Sequence, residues 1–275
     1  MDKKEVLEKI NTELQIQGKS RQTQKAYSYF NEKFLDYIKK NPEDIKEDDV
    51  KKFLANLLSN RKYDPSSVGL ARSALKFFYD DVMKTRLMAD IKTPKKQRKL
   101  PDVLTKEEVR QLIEESGSLR NKLLIELMYS SGLRVSECAS LKINDLNTNE
   151  KTGIIKLGKG GKDRFFILSL KLIEDLKEYL KEKNDSDYLF SGINGPIGVR
   201  AVQRVISRIA KRAGIKKRVY CHLLRHAFAT HLLENGTDIR LIQELMGHSS
   251  LTTTQFYTKV SKEQLKTVKN PLDSL

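Results

Sequence analysis

Apolar residues recur every three or four positions along most of this chain, the spacing that lines one face of an α-helix, and only briefly do they alternate as in a strand. In the first ninety residues the pattern predicts four helices. Val6, Leu7, Ile10 and Leu14 line a helix over 2–16 that ends near Gly18, and Tyr27, Phe30, Phe34 and Ile38 line a second over 21–39 with Ser20 as its N-cap. Val50, Phe53, Leu54 and Leu57 mark a third over 48–58, and Val68, Leu75, Phe78 and Tyr79 a fourth over 65–83. Four such stripes facing one another make a small bundle, assigned to residues 1–90.

The pattern then breaks. Residues 91–100, IKTPKKQRKL, hold Pro94, five basic side chains and no acidic one, which predicts an exposed interdomain linker over 91–103 rather than core. At Thr105 the helical rhythm restarts with TKEEV, a capping box between Thr105 and Glu108. A second domain over 104–275 follows, with helices predicted over 105–115 and 118–130, a turn SSGLRVSE feeding a short helix, and then helices over 170–182, 197–213, 221–234, 238–246, around Tyr257 and over 261–268. Strands are expected only at 153–157 and 164–168, joined by the glycine-rich turn GKGGKD as a hairpin. The predicted class is mainly α with a small β-hairpin, α+β.

Charge adds a partner to this picture. Lys and Arg total 52 against 36 Asp and Glu, a formal +16 divided evenly between residues 1–100 and 101–275, so both domains suit a polyanion and nucleic acid leads. Lys95, Lys96, Arg98 and Lys99 of the linker, with Arg72 of the bundle, are the candidate DNA contacts. Cys138 and Cys221 sit in apolar contexts and form no closely spaced pair, which points to reduced core residues. No signal-peptide core and no membrane-spanning apolar run is present, and the expected location is the cytoplasm, at the nucleoid when bound to DNA.

Four local strings carry chemistry. In CHLLRHAFATHLLENG, His222 and Arg225 are three apart, so two donors share one helix face. In LMGHSSLTTTQFYT a helix stops at Gly247, His248 follows, and Tyr257 lies nine residues on. In SSGLRVSE, Arg134 follows the Gly132 turn and Glu137, three residues further, is placed to hold it. Lys159 occupies the small-residue hairpin turn, which lacks the GxxxxGK[ST] pattern of nucleotide-binding loops. His226 and His231 share the helix of His222, but with no accompanying carboxylate and no HExxH order they are expected to be buried, hydrogen-bonded residues rather than metal ligands.

In the order Arg134, Lys159, His222, Arg225, His248 and Tyr257, with GLRVSE, GKGGKDR, HLLRHAFATHLLENG and LMGHSSLTTTQFYT around them, the second domain resembles the tyrosine recombinases, and most of all their Xer subgroup. SRQTQKAYSYF and SSVGLARSALKFFYDDV in the bundle are similar, more weakly, to that family's core-binding domain. The resemblance implies a tyrosine that attacks a DNA phosphate to leave a 3′-phosphotyrosyl link, with neither metal nor nucleotide cofactor. Tyr257 is then the nucleophile, Arg134, Arg225 and His248 the phosphate donors, Lys159 the general acid and His222 the proton acceptor. It further implies a clamp of the two domains around a double-stranded recombination site, a homotetramer on two sites, with participation of a paralogue or accessory activator left open, strand exchange through a Holliday junction, and resolution of chromosome dimers. The terminal stretch, with few apolar positions (Val260, Leu265, Val268) and trailing to Leu272 and Leu275, is expected to dock in trans on the next protomer.

Three rivals follow from the same residues. An integrase of a mobile element shares the chemistry, although a single domain ahead of the linker is less than the larger integrases carry. A type IB topoisomerase would relax supercoils as a monomer without a preferred site, and a non-catalytic DNA-binding relative would have lost members of the set.

Overall fold

A side chain at each helix start decides where the apolar stripes become helices. Asp2, Ser20 and Asp64 accept the backbone N–H of Glu5, Thr23 and Ser66, satisfying amides that a helix leaves without partners. In the computed structural model, which describes residues 1–92, 102–156, 163–183, 186–247, 268 and 270–274, the elements gather into two compact units, 1–100 and 101–275.

The first unit is the predicted bundle: α1 (Lys3–Ile16), α2 (Arg21–Ile38), α3 (Glu47–Ser59) and α4 (Pro65–Lys76). Its core is built from Val6, Ile10, Phe34, Phe53, Leu57 and Leu75, with the rings of Phe34 and Phe53 edge to face at 5.1 Å. The fourth helix departs from the straight run expected to residue 83, because it widens into a π-helical turn at Phe77–Val82. A π turn rotates fewer degrees per residue than an α turn, which lets the consecutive Phe77, Phe78 and Tyr79 all face inward. One expectation is corrected here. Ile91, assigned to the linker, is 2 % exposed and part of the bundle core. Arg72, named as a candidate DNA contact, is half-buried, and its Nε and one terminal nitrogen donate to the carbonyls of Ile91 and Met88, fastening that segment to α4. Lys95, Lys96, Arg98 and Lys99 lie outside the described residues.

The second unit contains α5 (Lys106–Glu114), α6 (Leu119–Ser130), α7 (Val135–Ala139), β1 (Leu146–Asn147), β2 (Thr152–Ile155), β3 (Arg164–Ile167), α8 (Leu170–Lys181), β4 (Ser191–Gly192), β5 (Gly195–Pro196), α9 (Val199–Arg212), α10 (Cys221–Glu234) and α11 (Ile239–Met246). The capping box is present: Thr105 Oγ accepts from the Glu108 amide at 3.1 Å, and Glu108 returns the bond at 2.8 Å. Every residue of α6 from Leu123 to Ser130 is buried, so α6 is the central helix around which α5, α8 and α10 pack. Cys138 and Cys221 are buried free thiols.

The sheet is larger than the sequence pattern indicates. β2 and β3 pair antiparallel as the predicted hairpin, with Gly153 opposite Phe166, and β1 adds a third strand beside β2. β4 and β5 form a separate two-stranded ribbon. Two-residue strands such as β1, β4 and β5 are too short to show alternation.

The last described residues pack on their own domain. Leu272 is 1 % exposed in the core of its own domain, and Asn270 Nδ2 donates to the carbonyl of Ser130 at 2.7 Å. Asp273 accepts the first amide of α8 at 3.1 Å. An apolar anchor with two polar partners thus holds residues 270–273 against their own domain. The helices predicted around Tyr257 and over 261–268 fall outside the described residues apart from Val268, which packs beside Phe228 and Leu232. Among the described residues no helix is long and apolar enough to cross a membrane.

Candidate active site

Gly132 turns the chain out of α6 with φ +59°, and a Cβ there would collide with the ring of Phe228. That turn delivers Arg134 to the start of α7, where Glu137 holds it twice: the carboxylate accepts the Arg134 amide at 2.7 Å and its guanidinium at 2.7 Å. The expected hold of Glu137 on Arg134 is therefore present. The remaining arm of Arg134 donates to the carbonyl of Gly247 at 3.0 Å.

Arg225 arrives from α10. It is 1 % exposed, donates to the carbonyls of Gly132 and Met246, stands 3.9 Å from Glu137, and has no partner for its Nε among the described residues. Burial, and then the nearby Arg134 and Arg164, push its pKa down. One turn earlier on the same helix, His222 is exposed and its ring packs edge-on against that of His226. Partial burial, then His226, Arg225 and Arg134, lower the pKa of His222 below the usual imidazole value, so it is a neutral acceptor at neutral pH.

A third guanidinium was not anticipated. Arg164 of β3 grips Glu137 with both terminal nitrogens, at 2.9 and 2.8 Å, and donates through Nε to the carbonyl of Leu245 at 3.1 Å. Burial alone would raise the pKa of Glu137, but the hydrogen bonds and charges of Arg164 and Arg134 outweigh it and hold the carboxyl below its usual range. Arg164, Arg225 and Arg134 donate to the successive carbonyls of Leu245, Met246 and Gly247. These are carbonyls that a helix end leaves unsatisfied, and cations are favoured there. Three guanidiniums around one carboxylate leave an excess of positive charge in a largely buried place, which favours an anion at its open side.

The comparisons with known proteins bear on what that anion is. Residues 102–264 match the model of the phage integrase family, and residues 6–89 match that of the phage integrase N-terminal SAM-like domain. The chain is 40 % identical over 269 residues to tyrosine recombinase XerA of Pyrococcus furiosus, covering 95 % of this chain and 92 % of that protein. The chain belongs to the phage integrase family. Two solved structures agree. The crystal structure of XerA recombinase is matched at 33 % identity with a TM-score of 0.53 over 96 % of both chains. The XerH site-specific recombinase bound to its difH substrate before cleavage is matched at 28 % identity with a TM-score of 0.68, over 87 % of this chain and 77 % of that one.

As a phage integrase family member the protein is a tyrosine recombinase of the Xer type, an enzyme of site-specific recombination that cleaves and rejoins DNA. Of the family residues named from the sequence, the structure brings Arg134, Arg225 and Glu137 together, with His222 beside them. Lys159, His248 and Tyr257 lie outside the described residues. His231 is buried with its Nδ1 2.9 Å from the Tyr129 hydroxyl, as expected. His226 is only half-buried against His222, which corrects the expectation of a buried, hydrogen-bonded residue. Arg164 did have a signal in the sequence: an arginine opening an apolar strand, RFFI, needs a buried partner.

Proposed function

We propose that the enzyme exchanges DNA strands by transesterification at Tyr257, which attacks a backbone phosphate and leaves a 3′-phosphotyrosyl link and a free 5′-hydroxyl. The covalent link retains the energy of the broken diester, so the 5′-hydroxyl of a partner strand reverses the step without a nucleotide. The observation that carries the reading is the convergence of Arg134 and Arg225 on one buried carboxylate, with His222 beside them. Attack on a phosphodiester gathers negative charge on the non-bridging oxygens, and fixed cationic donors stabilise it without reorganising.

In this reading Arg134 and Arg225 clamp those oxygens, and His248 adds a third donor. Neutral His222 takes up the proton of the tyrosine hydroxyl, and Lys159 protonates the leaving 5′-oxygen. The buried Nε of Arg225, without a partner among the described residues, suits a phosphate oxygen. The bundle over 1–90 and the catalytic domain over 104–275 close on the duplex from two sides, and Lys95, Lys96, Arg98 and Lys99 of the linker over 91–103 lie along phosphates. Four protomers on two sites pass through a Holliday junction. The cellular task is resolution of chromosome dimers at a cytoplasmic, nucleoid-bound site, with any paralogue or activator as additional partners.

The test is incubation of the protein with genomic DNA fragments of its own source, followed by mapping of DNA ends that stay bound to protein under denaturing conditions. Attachment through the 3′-phosphate at one recurrent sequence is expected. Ends attached at random positions, or through a 5′-phosphate, contradict the reading.

A further inference from the structure

We propose that Arg164 is a positioning residue of the cleavage step: it keeps Glu137 saturated, so that the second arm of Arg134 stays off the carboxylate and can exchange the Gly247 carbonyl for the phosphate. The inference rests on the proposed role of Arg134 as a phosphate donor.

Arg164 itself cannot serve as that donor without breaking a buried ion pair. Its side chain is 7 % exposed, and its Nε and both terminal nitrogens already hold the carbonyl of Leu245 and the two oxygens of Glu137. What it controls is the distribution of hydrogen bonds on Glu137. Oε1 receives Arg134 at 2.7 Å and Arg164 at 2.9 Å, while Oε2 receives the Arg134 amide at 2.7 Å and Arg164 at 2.8 Å. Arg134 therefore has only one arm on the carboxylate, and its other arm reaches Gly247.

Removing Arg164 changes this arrangement in one direction. A buried carboxylate that loses a two-point partner is costly to leave uncompensated. The nearest other donors are the second arm of Arg134, which the Gly247 carbonyl holds at 3.0 Å, and the Arg225 nitrogen 3.9 Å away, which the Gly132 carbonyl holds. The Arg134 arm is the less buried and the one that can exchange its carbonyl for the carboxylate. A guanidinium fork fits a carboxylate at two points, so Arg134 closes onto Glu137 and is withdrawn from substrate. The same loss frees the Leu245 carbonyl near the end of α11, two residues before Gly247.

Arg164 also joins parts that are remote in sequence. It stands 27 positions from Glu137 and 81 from Leu245, and it opens the strand that follows the turn containing Lys159. One side chain thus links α7, β3 and α11.

The experiment measures single-turnover cleavage of an end-labelled oligonucleotide duplex carrying the attachment site mapped for the wild-type protein. Each variant is held well below its own melting temperature and saturates the duplex. For Arg164→Met the expected cleavage rate falls roughly ten- to a hundredfold, the range seen when residues that orient a reacting group are removed, with site affinity changed less than about threefold. Because the effect acts through Arg134, Arg164→Met in an Arg134→Ala background adds less than about threefold to the loss already present. Arg164→Lys keeps the charge without the fork, and should fold as the wild type does and lose rate to a smaller extent.

A folded, DNA-bound Arg164→Met or Arg164→Lys protein that cleaves at the wild-type rate overturns the proposal, as do losses that multiply in the double variant. If Arg164→Met does not fold, Arg164→Lys decides alone. A wild-type protein that forms no covalent adduct overturns the proposed function instead, which separates the two failures.

Discussion

The guanidinium of Arg134 donates to the carbonyl of Gly247 at 3.0 Å, across 113 positions of sequence. Arg134, two residues past the Gly132 turn, thereby ties the start of α7 to the end of α11. Gly247 is in the left-handed region at φ +56°, and a Cβ there would press into the side chain of Arg164. Gly247→Ala should therefore cost ~1–2 kcal/mol of stability from backbone strain alone and slow cleavage by displacing Arg164. Denaturant unfolding and cleavage rate check the two effects together. Wild-type values of both would show that the contact yields freely.

Lys159 and Arg134 have different chemical duties in this account, and a substrate separates them. With sulfur in place of the 5′-bridging oxygen, the leaving thiolate needs no proton. Lys159→Ala should regain most of its cleavage on that substrate, whereas Arg134→Ala, which lacks a phosphate donor, should not. Equal behaviour of the two variants would remove Lys159 from the role of general acid.

Glu126 gives the catalytic domain a pH dependence. It lies fully buried on α6 with Lys122 3.9 Å away, and burial, then repulsion from Asp175, raise its pKa from 4.5 to about 8 against the opposing charges of Lys122 and Lys171. The folded state keeps the proton until about pH 8, while the unfolded chain loses it near pH 4.5, so stability falls as pH rises through that window and is level above it. Glu126→Gln, neutral throughout, should remove that fall. Urea unfolding at low, middle and high pH in the window checks it; parallel pH profiles for the two proteins would contradict the assignment.

Leu272 tests the cis packing of the C-terminal residues. Buried beside α6 and α8, its truncation to Ala should cost about 2–4 kcal/mol, with matching loss of melting temperature. A change within ~0.5 kcal/mol would mean that residues 270–273 leave the domain in solution.

The sequence was most readable where one physical signal acts alone. The α1 and α3 stripes, the Ser20 cap and the Thr105–Glu108 box are local patterns, and each appears at its expected place. Arg134 and Glu137 were legible together because three positions on a helix start bring them into reach. For Arg164 the need of a buried partner was visible in RFFI but the partners were not, since Glu137 and Leu245 are distant in sequence and only the fold joins them. The π turn at Phe77–Val82 escaped for a related reason: Phe78 and Tyr79 fit a helical stripe, and the change of winding that also buries Phe77 responds to tertiary packing. Arg72 read as a DNA contact because charge suggests a polyanion, whereas its carbonyl partners at Met88 and Ile91 could not be read from composition.

The central claim, that Tyr257 is the nucleophile of a phosphotyrosyl exchange, is tested most directly by comparing wild type and Tyr257→Phe on the mapped site. Covalent adduct is scored by denaturing gel and binding by mobility shift at matched salt. The account predicts loss of the adduct with site affinity nearly unchanged, because one hydroxyl leaves a large basic footprint. A covalent complex formed by Tyr257→Phe at the wild-type level would contradict it.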